Sequence, residues 1–347
     1  MKRKEKKGST KFKTTLKVLL ILTTSVLICA ATYGIYLTKK AENAANRAYE
    51  ELGSREQSAK RDEKVEPVKD NVSILFIGID DSETREQGAD NARSDALILA
   101  TMNVKTKTVK TLSIPRDSYV YIPSKKRDDK ITHAHAHGGT ISTIDTIENL
   151  LDIPVDYYVR MNFNAFIDIV DALGGIEVEV PYSITELNEK DERVVQLEKG
   201  LQKLNGSESL ALARTRKKDS DIERGKRQQE ILKAIATQAA KPSSILKYDE
   251  LIDAVADNTK TNMTFGEMKS FLTYLSSGMP RIDSLYLAGE DDWSTGVYYY
   301  MLDDESLEET IFTLKNHLGL EKNVNMSQQE SENDTDESKS IGDFSSR

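Results

Sequence analysis

Residues Val72 to Ile79 read VSILFIGI, an apolar run of eight residues that indicates a buried β-strand. Further runs typical of strands follow, at residues 96–104, 108–114, 155–161, 176–180 and 282–287. Stretches with a helical spacing of apolar residues alternate with them, at residues 140–151, 163–173, 206–213, 224–239, 244–256, 265–276 and 304–317. This alternation predicts an α/β fold in which a mixed central β-sheet is covered by helices on both faces.

Ahead of this region, residues Val18 to Leu37 form a run of twenty residues without a charge, long enough to cross a bilayer as one helix. Eight Lys and Arg residues and a single acid, Glu5, precede the run, and such a basic block keeps the N-terminus in the cytoplasm. A cleaved signal peptide is the competing interpretation, but its apolar core is usually shorter. We therefore expect a cytoplasmic segment at residues 1–17, a transmembrane anchor at residues 18–38 and export of the rest.

The exported part divides further by composition. Residues 39–70 are polar and rich in Ala, Glu, Lys and Arg, which indicates a stalk. Residues 71–320 hold the predicted strands and helices of one extracytoplasmic domain. Residues 321–347 contain few apolar side chains and are predicted to be disordered.

Cysteine content and charge limit the class of protein. The single cysteine, Cys29, lies in the predicted span, so the exported domain has no disulfide and must be stable through its core. The net charge is −9, and without the +7 of the first 17 residues the remainder carries −16. A nucleic-acid-binding domain is usually basic. An acidic exported domain without a helix-turn-helix pattern argues against a transcription regulator.

One basic cluster interrupts this acidic domain. Residues 214–227 read RTRKKDSDIERGKR, with seven basic residues against three acids. Arg224, Arg227 and Gln228 share a helix face that continues through the apolar Ile231. Arginines in the first turn of an inward-facing helix are unfavourable, because like charges repel and the helix N-terminus is itself positive. A bound polyanion would resolve the conflict, since guanidinium groups and N-terminal amides both donate to phosphate. Internal pairing with the three acids is the alternative.

Charged residues also follow or open the predicted strands. Asp80 and Asp81 follow the first strand, Asp95 opens the second, and Arg116 and Asp117 follow the third. Loops at strand ends are where sites collect in open α/β folds. Mg²⁺ takes one or two carboxylates together with phosphate oxygens, which makes the aspartates candidate metal ligands. Turn-forming aspartates and a structural Arg–Asp pair are the alternatives.

A histidine-rich stretch, KITHAHAHGG, begins at Lys130. His133, His135 and His137 alternate and could line one side of a strand as zinc ligands. The two glycines that follow, and the lack of a matching cysteine or histidine elsewhere, favour a loop without metal. The sequence contains no Gly-x-Ser-x-Gly elbow, His-Glu-x-x-His pair or P-loop, the signatures of common hydrolases and nucleotide-binding proteins.

Seven motifs occur in a fixed order: FIGIDD, RSDALIL, LSIPRD, KITHAHAHGG, FIDIVDALGGIEVEVP, LNGSESLALARTR and DIERGKRQQ. In this order, over residues 72–239, they resemble the LytR-CpsA-Psr family, and a single N-terminal anchor also fits that family. The resemblance implies the same α/β fold with an apolar cavity for a polyprenyl chain. It further implies transfer of an anionic glycopolymer, teichoic acid or capsular polysaccharide, from a polyprenyl-diphosphate carrier to peptidoglycan, which leaves a phosphodiester bond.

The resemblance also implies roles for particular residues. The expected catalytic residues are Arg116, Asp95 and Arg214. The expected diphosphate-binding residues are Lys130, Arg216, Arg224, Arg227 and Gln228. Asp80 and Asp95 are expected to hold Mg²⁺ or Mn²⁺.

The sequence departs from the family pattern at two positions. Glu223 stands before Arg224 where family members often have Gly, and Gly225 comes after it instead. Thr132 stands where Asn is common. The first departure affects how the helix of Arg224 starts, and therefore which group Arg224 contacts.

Two other functions stay open at this point. A polyprenyl-diphosphate hydrolase would use the same residues with water as the acceptor. A non-catalytic regulator of envelope assembly would bind the lipid or the wall without turnover.

Overall fold

The computed structural model describes residues 9–53, 55–80, 92–188, 194–216, 220–276 and 278–320. The tail predicted to be disordered lies outside the described residues. The helices are α1 (Ser9–Ala48), α2 (Thr132–Leu151), α3 (Phe163–Ala172), α4 (Gly206–Arg214), α5 (Asp221–Ala239), α6 (Tyr248–Asn258), α7 (Phe265–Ser276) and α8 (Asp304–Leu318), with a 3₁₀ turn at Pro242–Lys247. The strands are β1 (Val72–Ile79), β2 (Ser94–Asn103), β3 (Thr108–Ser113), β4 (Tyr119–Ile122), β5 (Arg127–Lys130), β6 (Tyr157–Asn162), β7 (Ile176–Val180), β8 (Ile184–Leu187), β9 (Val194–Leu197), β10 (Gly200–Leu204), β11 (Thr259–Thr261), β12 (Arg281–Tyr286), β13 (Gly289–Asp292) and β14 (Tyr299–Leu302).

A six-stranded sheet in the order β11-β6-β1-β2-β3-β12 forms the centre of the domain. β1 pairs with β6 in parallel and with β2 in antiparallel fashion, and β3 pairs with β12 in parallel. The remaining pairs within this sheet are antiparallel. The predicted mixed sheet is therefore confirmed.

Alternate side chains of β1 face opposite sides of this sheet, as the pleat requires. Leu75 and Ile77 are fully buried in a core built with α2 and α8, which supply Ile147 and Leu314 among others. Ile74 belongs to a smaller cluster on the other face, together with side chains of α7. Helices thus cover both faces, as predicted, and the second face carries the cavities described below.

α1 contains a stretch, Leu19–Ala48, that is long and apolar enough to cross a membrane. Its apolar side chains are exposed through Ile35, for example Leu20 and Leu27. This agrees with the predicted anchor by length and composition.

Much of the segment predicted to be a stalk, residues 39–70, packs on the domain. Ala48 and Leu52 are buried, and Leu52 joins the main core. Arg55 Nη2 donates to the buried Glu148 carboxylate at 2.6 Å, which also accepts from Ser58 and from a backbone amide. Composition alone indicates a polar linker. It does not show the docking, because the carboxylates that bind the arginines of this segment lie some ninety residues away in sequence.

The histidine-rich stretch is helical, which corrects the predicted loop. α2 begins at Thr132 and continues to Leu151 through a kink at Gly138 and Gly139, where Gly139 has φ of 62°. His135 is fully buried and its Nδ1 lies 2.8 Å from the carbonyl oxygen of Ala92. The alternating histidines suggested an extended segment, but the backbone here forms a helical turn.

Candidate active site

One end of the central sheet brings the predicted site residues together. β1 and β3 both run toward this end because each is antiparallel to β2, and β6 is parallel to β1. The register pairs Ile79 with Ser94 and shifts next to Gly78, which leaves Asp95 in the irregularity. The loop after β3 adds Arg116 at the same edge, as expected for an α/β site.

A cavity of about 360 Å³ opens at this edge. Its mouth is polar and holds Asp95, Arg116, Arg214, Arg216, Arg224 and Gln228. Its interior is apolar, with Phe76, Phe163, Phe166, Leu232 and Ile235 among the lining residues. A charged mouth above an apolar interior fits a ligand with an anionic head and a hydrocarbon tail.

A chain of ion pairs connects the charged side chains at the mouth. Arg116 pairs with Asp95 through Nη1 and approaches Asp117 Oδ2 at 3.4 Å through Nε. Asp117 also receives Lys130 Nζ at 2.9 Å and lies 3.6 Å from Arg216 Nη1. Arg216 and Arg224 both lie near Asp221, at 3.7 and 3.2 Å.

These pairs shift the pKa values of two groups in the chain. Burial works to lower the pKa of Arg116, but the charges of Asp95 and Asp117 more than offset it, so its pKa lies above the usual value. Burial works to raise the pKa of Asp117, but the bond from Lys130 and the charges of Arg116 and Arg216 hold it below the usual value. Both groups are therefore charged at neutral pH.

Arg224 is a buried cation with an incomplete set of hydrogen bonds. It is 5% exposed, and burial lowers its pKa from 12.5 to about 10, with further lowering by the charges of Arg216 and Arg116 that Asp221 only partly opposes. Its Nε has no hydrogen-bond partner among the residues that the structure describes. A buried charged donor without a partner is costly, so the site favours an anion that would accept from it.

The local sequence explains how Arg224 reaches the cavity. Ser220 caps α5 and accepts from the Glu223 amide, so Arg224 falls in the first turn, next to the cavity. Gly225 follows, and a Cβ there would lie 2.4 Å from Ser113 Oγ at the end of β3. The glycine after the arginine lets α5 approach the sheet closely, which gives the departure from the family pattern a physical role.

Arg214 and Gln228 face the cavity from neighbouring helices. Arg214 ends α4, and its guanidinium carbon lies 5.0 Å from the ring centre of Phe163. Gln228 Nε2 donates to the carbonyl oxygen of Ala213 at 3.3 Å. The stacking and the hydrogen bond hold both side chains at the mouth.

Arg227, predicted to bind the diphosphate, does not line the cavity. The side chain is buried, and it donates to the carbonyl oxygens of Leu212 and Thr215 at 3.2 and 2.6 Å. It therefore joins the end of α4 to α5. Helical spacing placed it beside Arg224, but the nearby end of α4 offers carbonyl oxygens that bind it instead.

The predicted metal ligands have different positions. Asp95 lines the cavity mouth, whereas Asp80 is 4% exposed and does not line the cavity. Asp81 lies outside the described residues. Within the described residues, no group of three or more His, Cys, Asp and Glu side chains is arranged to hold a metal ion.

Sequence reasoning missed the part played by Asp117. Asp117 is 4% exposed and holds three cations, and Asp221 holds two. The predicted alternative of internal pairing is thus confirmed for Asp221, which pairs with Arg216 and Arg224, and for Glu223, which pairs with Lys226. Among the residues that the structure describes, five cations at or beside the mouth (Arg116, Lys130, Arg214, Arg216 and Arg224) outnumber three carboxylates (Asp95, Asp117 and Asp221), so both kinds of contact coexist.

Two aromatic side chains border the mouth on its outer side. Lys130 Nζ lies 5.6 and 5.7 Å from the ring centres of Tyr298 and Tyr299. These residues lie in and beside the β13–β14 hairpin, which the sequence did not predict. Lys130 is therefore placed beside the cavity by Asp117 and two rings, and it does not line the cavity itself.

An α/β domain joined to an apolar helix, with a basic mouth over an apolar cavity, defines a class of protein that binds amphiphilic anions. The sequence matches the LytR_cpsA_psr family over residues 35–316. The chain belongs to this family, as its motifs predicted.

Several curated relatives of the chain are teichoic acid transferases by name. The chain is 42% identical to the polyisoprenyl-teichoic acid–peptidoglycan teichoic acid transferase TagT of Bacillus subtilis, over 91% of this chain and 98% of TagT. It is 38% identical to the TagU transferase of Halalkalibacterium halodurans, over 85% of this chain and 95% of TagU.

Solved structures agree with the sequence comparison. The chain superposes on TagT bound to LIIa-WTA with a TM-score of 0.66 and 40% identity, covering 78% of this chain and 99% of that one. It superposes on a LytR-CPS2A-psr family protein, YwtF (TagT), with bound octaprenyl pyrophosphate lipid, with a TM-score of 0.62 and 38% identity over the same shares.

Proposed function

We propose that this protein transfers an anionic glycopolymer from a polyprenyl-diphosphate carrier to peptidoglycan through a phosphodiester bond. The observation that carries the proposal is Arg224, a buried guanidinium with an unsatisfied Nε at the mouth of an apolar cavity. A diphosphate would accept from it while the prenyl chain fills the apolar interior. The names of the 36–42% identical transferases support the same reaction.

In the proposed reaction a sugar hydroxyl of peptidoglycan attacks the phosphorus that carries the polymer. A new oxygen–phosphorus bond forms, the bond to the bridging oxygen breaks, and polyprenyl phosphate leaves with the electron pair. Phosphoryl transfer depends mainly on positioning and on neutralisation of charge. Arg116 and Arg214 neutralise the transferring phosphoryl group, while Arg216, Arg224 and Gln228 hold the leaving phosphate.

Asp95 is the one carboxylate among the three at the mouth that lines the cavity directly. We assign it to orient the attacking hydroxyl, whose proton passes to water as the bond forms. Arg116 holds this carboxylate in place through their ion pair. Lys130 acts at a distance from the cavity, since it supports Arg116 through their common partner Asp117.

We propose that Asp95, which lines the mouth, and Asp80 behind it would hold a magnesium or manganese ion once a diphosphate supplies the remaining ligands. Asp95 and Asp80 belong to the same sheet end, one residue to either side of the Ile79–Ser94 register pair. Mg²⁺ binds one or two carboxylates together with phosphate oxygens, so two protein ligands suffice. Such an ion would neutralise charge on the diphosphate.

We further propose that α1 anchors the chain with its N-terminus in the cytoplasm and the domain outside the cell membrane. The eight basic residues before the span support this orientation. Peptidoglycan, the proposed acceptor, lies on that side.

The experiment that tests this function follows the product with and without acceptor. Purified full-length protein is mixed with a polyprenyl-diphosphate-linked glycopolymer, and the products are analysed by mass spectrometry with peptidoglycan present or absent. We expect a phosphodiester-linked adduct only with peptidoglycan, and no adduct from a folded Arg116→Ala variant. Release of free polymer at an equal rate in both arms would indicate a hydrolase, and lipid binding without either product would indicate a non-catalytic role. Full transfer by the Arg116→Ala protein would refute the assignment of that arginine.

A further inference from the structure

A second cavity, of about 530 Å³, lies on the same face of the central sheet. Its floor is formed by side chains of β1, β2, β3, β6 and β12, and its walls by α1, α5, α6 and α7. Its lining is overwhelmingly apolar and includes Met102, Val255, Met263, Met268 and Phe271. It lacks the arginines of the first cavity, so it suits hydrocarbon and not a charged group.

The two cavities adjoin each other. Phe76 and Leu232 line both of them, one from the sheet and one from α5. A cavity of about 150 Å³ holds a benzene molecule, which is about 25 Å³ per carbon. By that measure the first cavity accommodates about three isoprene units and the second about four. A long prenyl chain whose diphosphate lies at the arginines therefore extends into the second cavity.

The anchor helix forms one wall of this second cavity. Ala41, Ala44, Ala45 and Ala48 line it, and the last three are nearly inaccessible to solvent. Their small side chains leave open the space that larger residues at these positions would fill. Neighbouring Asn43 and Asn46 are exposed on the opposite side of the helix.

Polar contacts fix this part of α1 to the domain. Lys40 Nζ lies 2.6 Å from Asp249 and 2.8 Å from Asp253, both on α6. Just beyond the helix, the Glu50 amide donates to the carbonyl oxygen of Thr261 on β11 at 2.8 Å. The wall is therefore held in place at both ends.

We propose that the last turns of α1 form the distal half of the donor site, where the far isoprene units of the carrier contact the four alanines. This inference rests on the proposed function and adds a substrate-positioning role for the anchor. The hydrocarbon tail then stays against one continuous helix from the bilayer to the cavity. The anchor selects for carrier length as well as holding the domain at the membrane.

The test compares two tryptophan variants of the full-length protein in nanodiscs. Ala45→Trp fills the second cavity, and Asn46→Trp places the same side chain on the exposed face as a matched control. Binding of farnesyl diphosphate, which fits the first cavity alone, and of octaprenyl diphosphate, which needs both, is measured for each variant. We expect Ala45→Trp to weaken octaprenyl diphosphate at least tenfold and to leave farnesyl diphosphate within twofold, with Asn46→Trp unchanged for both.

The outcomes separate the inference from the function on which it rests. Equal octaprenyl diphosphate binding by both variants would overturn the inference, and so would loss of both ligands by Ala45→Trp alone. Failure of the unmodified protein to bind either ligand would instead overturn the proposed diphosphate site.

Chemical protection gives a second measurement that needs no bulky side chain. Ala41→Cys, at the partly exposed alanine of the wall, and its control Asn43→Cys are made in a Cys29→Ala background and treated with a maleimide. We expect octaprenyl diphosphate to slow labelling at position 41 at least fivefold, with no effect of farnesyl diphosphate and no protection at position 43. Equal labelling at position 41 with and without octaprenyl diphosphate contradicts the inference.

Discussion

Replacing Arg224 by methionine should make the unliganded protein more stable while it destroys the site. The folded-state pKa of Arg224 is about 10 against an ordinary 12.5, because of burial and repulsion by Arg216 and Arg116. At about 1.36 kcal/mol per pKa unit, the charged side chain costs the fold roughly 3 kcal/mol. Because the folded-state pKa is the lower one, this cost is present in full below about pH 10 and is lost progressively as the pH rises from there toward 12.5.

Methionine keeps the length of the side chain and removes the charge. Loss of the 3.2 Å contact with Asp221 offsets part of the gain, although Arg216 still lies near that carboxylate. We expect the free energy of unfolding to rise by about 2 kcal/mol, which corresponds to an increase in Tm of roughly 4–8 °C. Octaprenyl diphosphate should bind at least 30-fold more weakly, as expected for loss of about 2 kcal/mol from a charged hydrogen bond.

Arg227→Met is the matched control, one turn further along the same helix. Arg227 is as buried as Arg224, but it donates to two carbonyl oxygens. Its loss should lower the free energy of unfolding by about 3 kcal/mol, because charged hydrogen bonds contribute about 1.5–3 kcal/mol each.

The assay is thermal unfolding of full-length protein in detergent, with and without octaprenyl diphosphate, for the wild type and both variants. The ligand should raise the Tm of the wild type and of Arg227→Met, and leave that of Arg224→Met almost unchanged. An Arg224→Met protein that is less stable than the wild type, or that gains as much from the ligand, would refute the reasoning.

Three further predictions concern other parts of the domain. Burial lowers the pKa of His317 to about 4, so its neutral form stabilises the fold above pH 6.5, and this contribution is lost as the pH falls toward 4. Chemical denaturation should show that the free energy of unfolding falls by roughly 1–3 kcal/mol between pH 7 and 4.5, and by less in His317→Gln. An equal fall in both proteins would contradict this prediction. Glu148→Gln removes the charge that binds Arg55 and should lower the free energy of unfolding by about 3 kcal/mol. The control is Glu66→Gln, which removes the exposed ion pair with Lys69 and should change the free energy of unfolding by less than about 0.5 kcal/mol in the same denaturation experiment. Chelation by EDTA should slow transfer at least tenfold and weaken octaprenyl diphosphate binding by less than tenfold. Added Mg²⁺ or Mn²⁺ should restore the rate, and unchanged transfer after chelation would argue against the metal.

The sequence predicted the central sheet well because its strands carry unambiguous local signals. β1 and β7 have the predicted bounds, since each is a short apolar or alternating run between clear breaks. Strands β5 and β13 carry no such signal, because RDDK and GEDD hold no aromatic or β-branched residue and form strands only by pairing with β4 and β14. Tertiary pairing, and not local propensity, determines such segments.

The site residues were likewise predicted in part. Arg116, Arg214, Arg216 and Arg224 meet at one cavity mouth, as their motifs predicted. Arg227 binds backbone carbonyl oxygens and does not line the cavity. Helix periodicity predicts the face on which a residue lies, but not which hydrogen-bond acceptor its side chain reaches. The docking of residues 40–70 was beyond prediction for a related reason, since Glu148 and Asp156 are remote in sequence from Arg55 and Arg61.

The docked segment after the anchor fixes the height at which the enzyme works. α1 runs without interruption from the apolar stretch to Ala48, and the turns beyond Leu37 rise only about 16 Å at 1.5 Å per residue. The following residues return along the domain surface instead of extending away from the membrane. The domain is thus joined rigidly to the membrane-spanning stretch. With the domain on the proposed side of the membrane, only acceptor chains close to the membrane surface lie within its range.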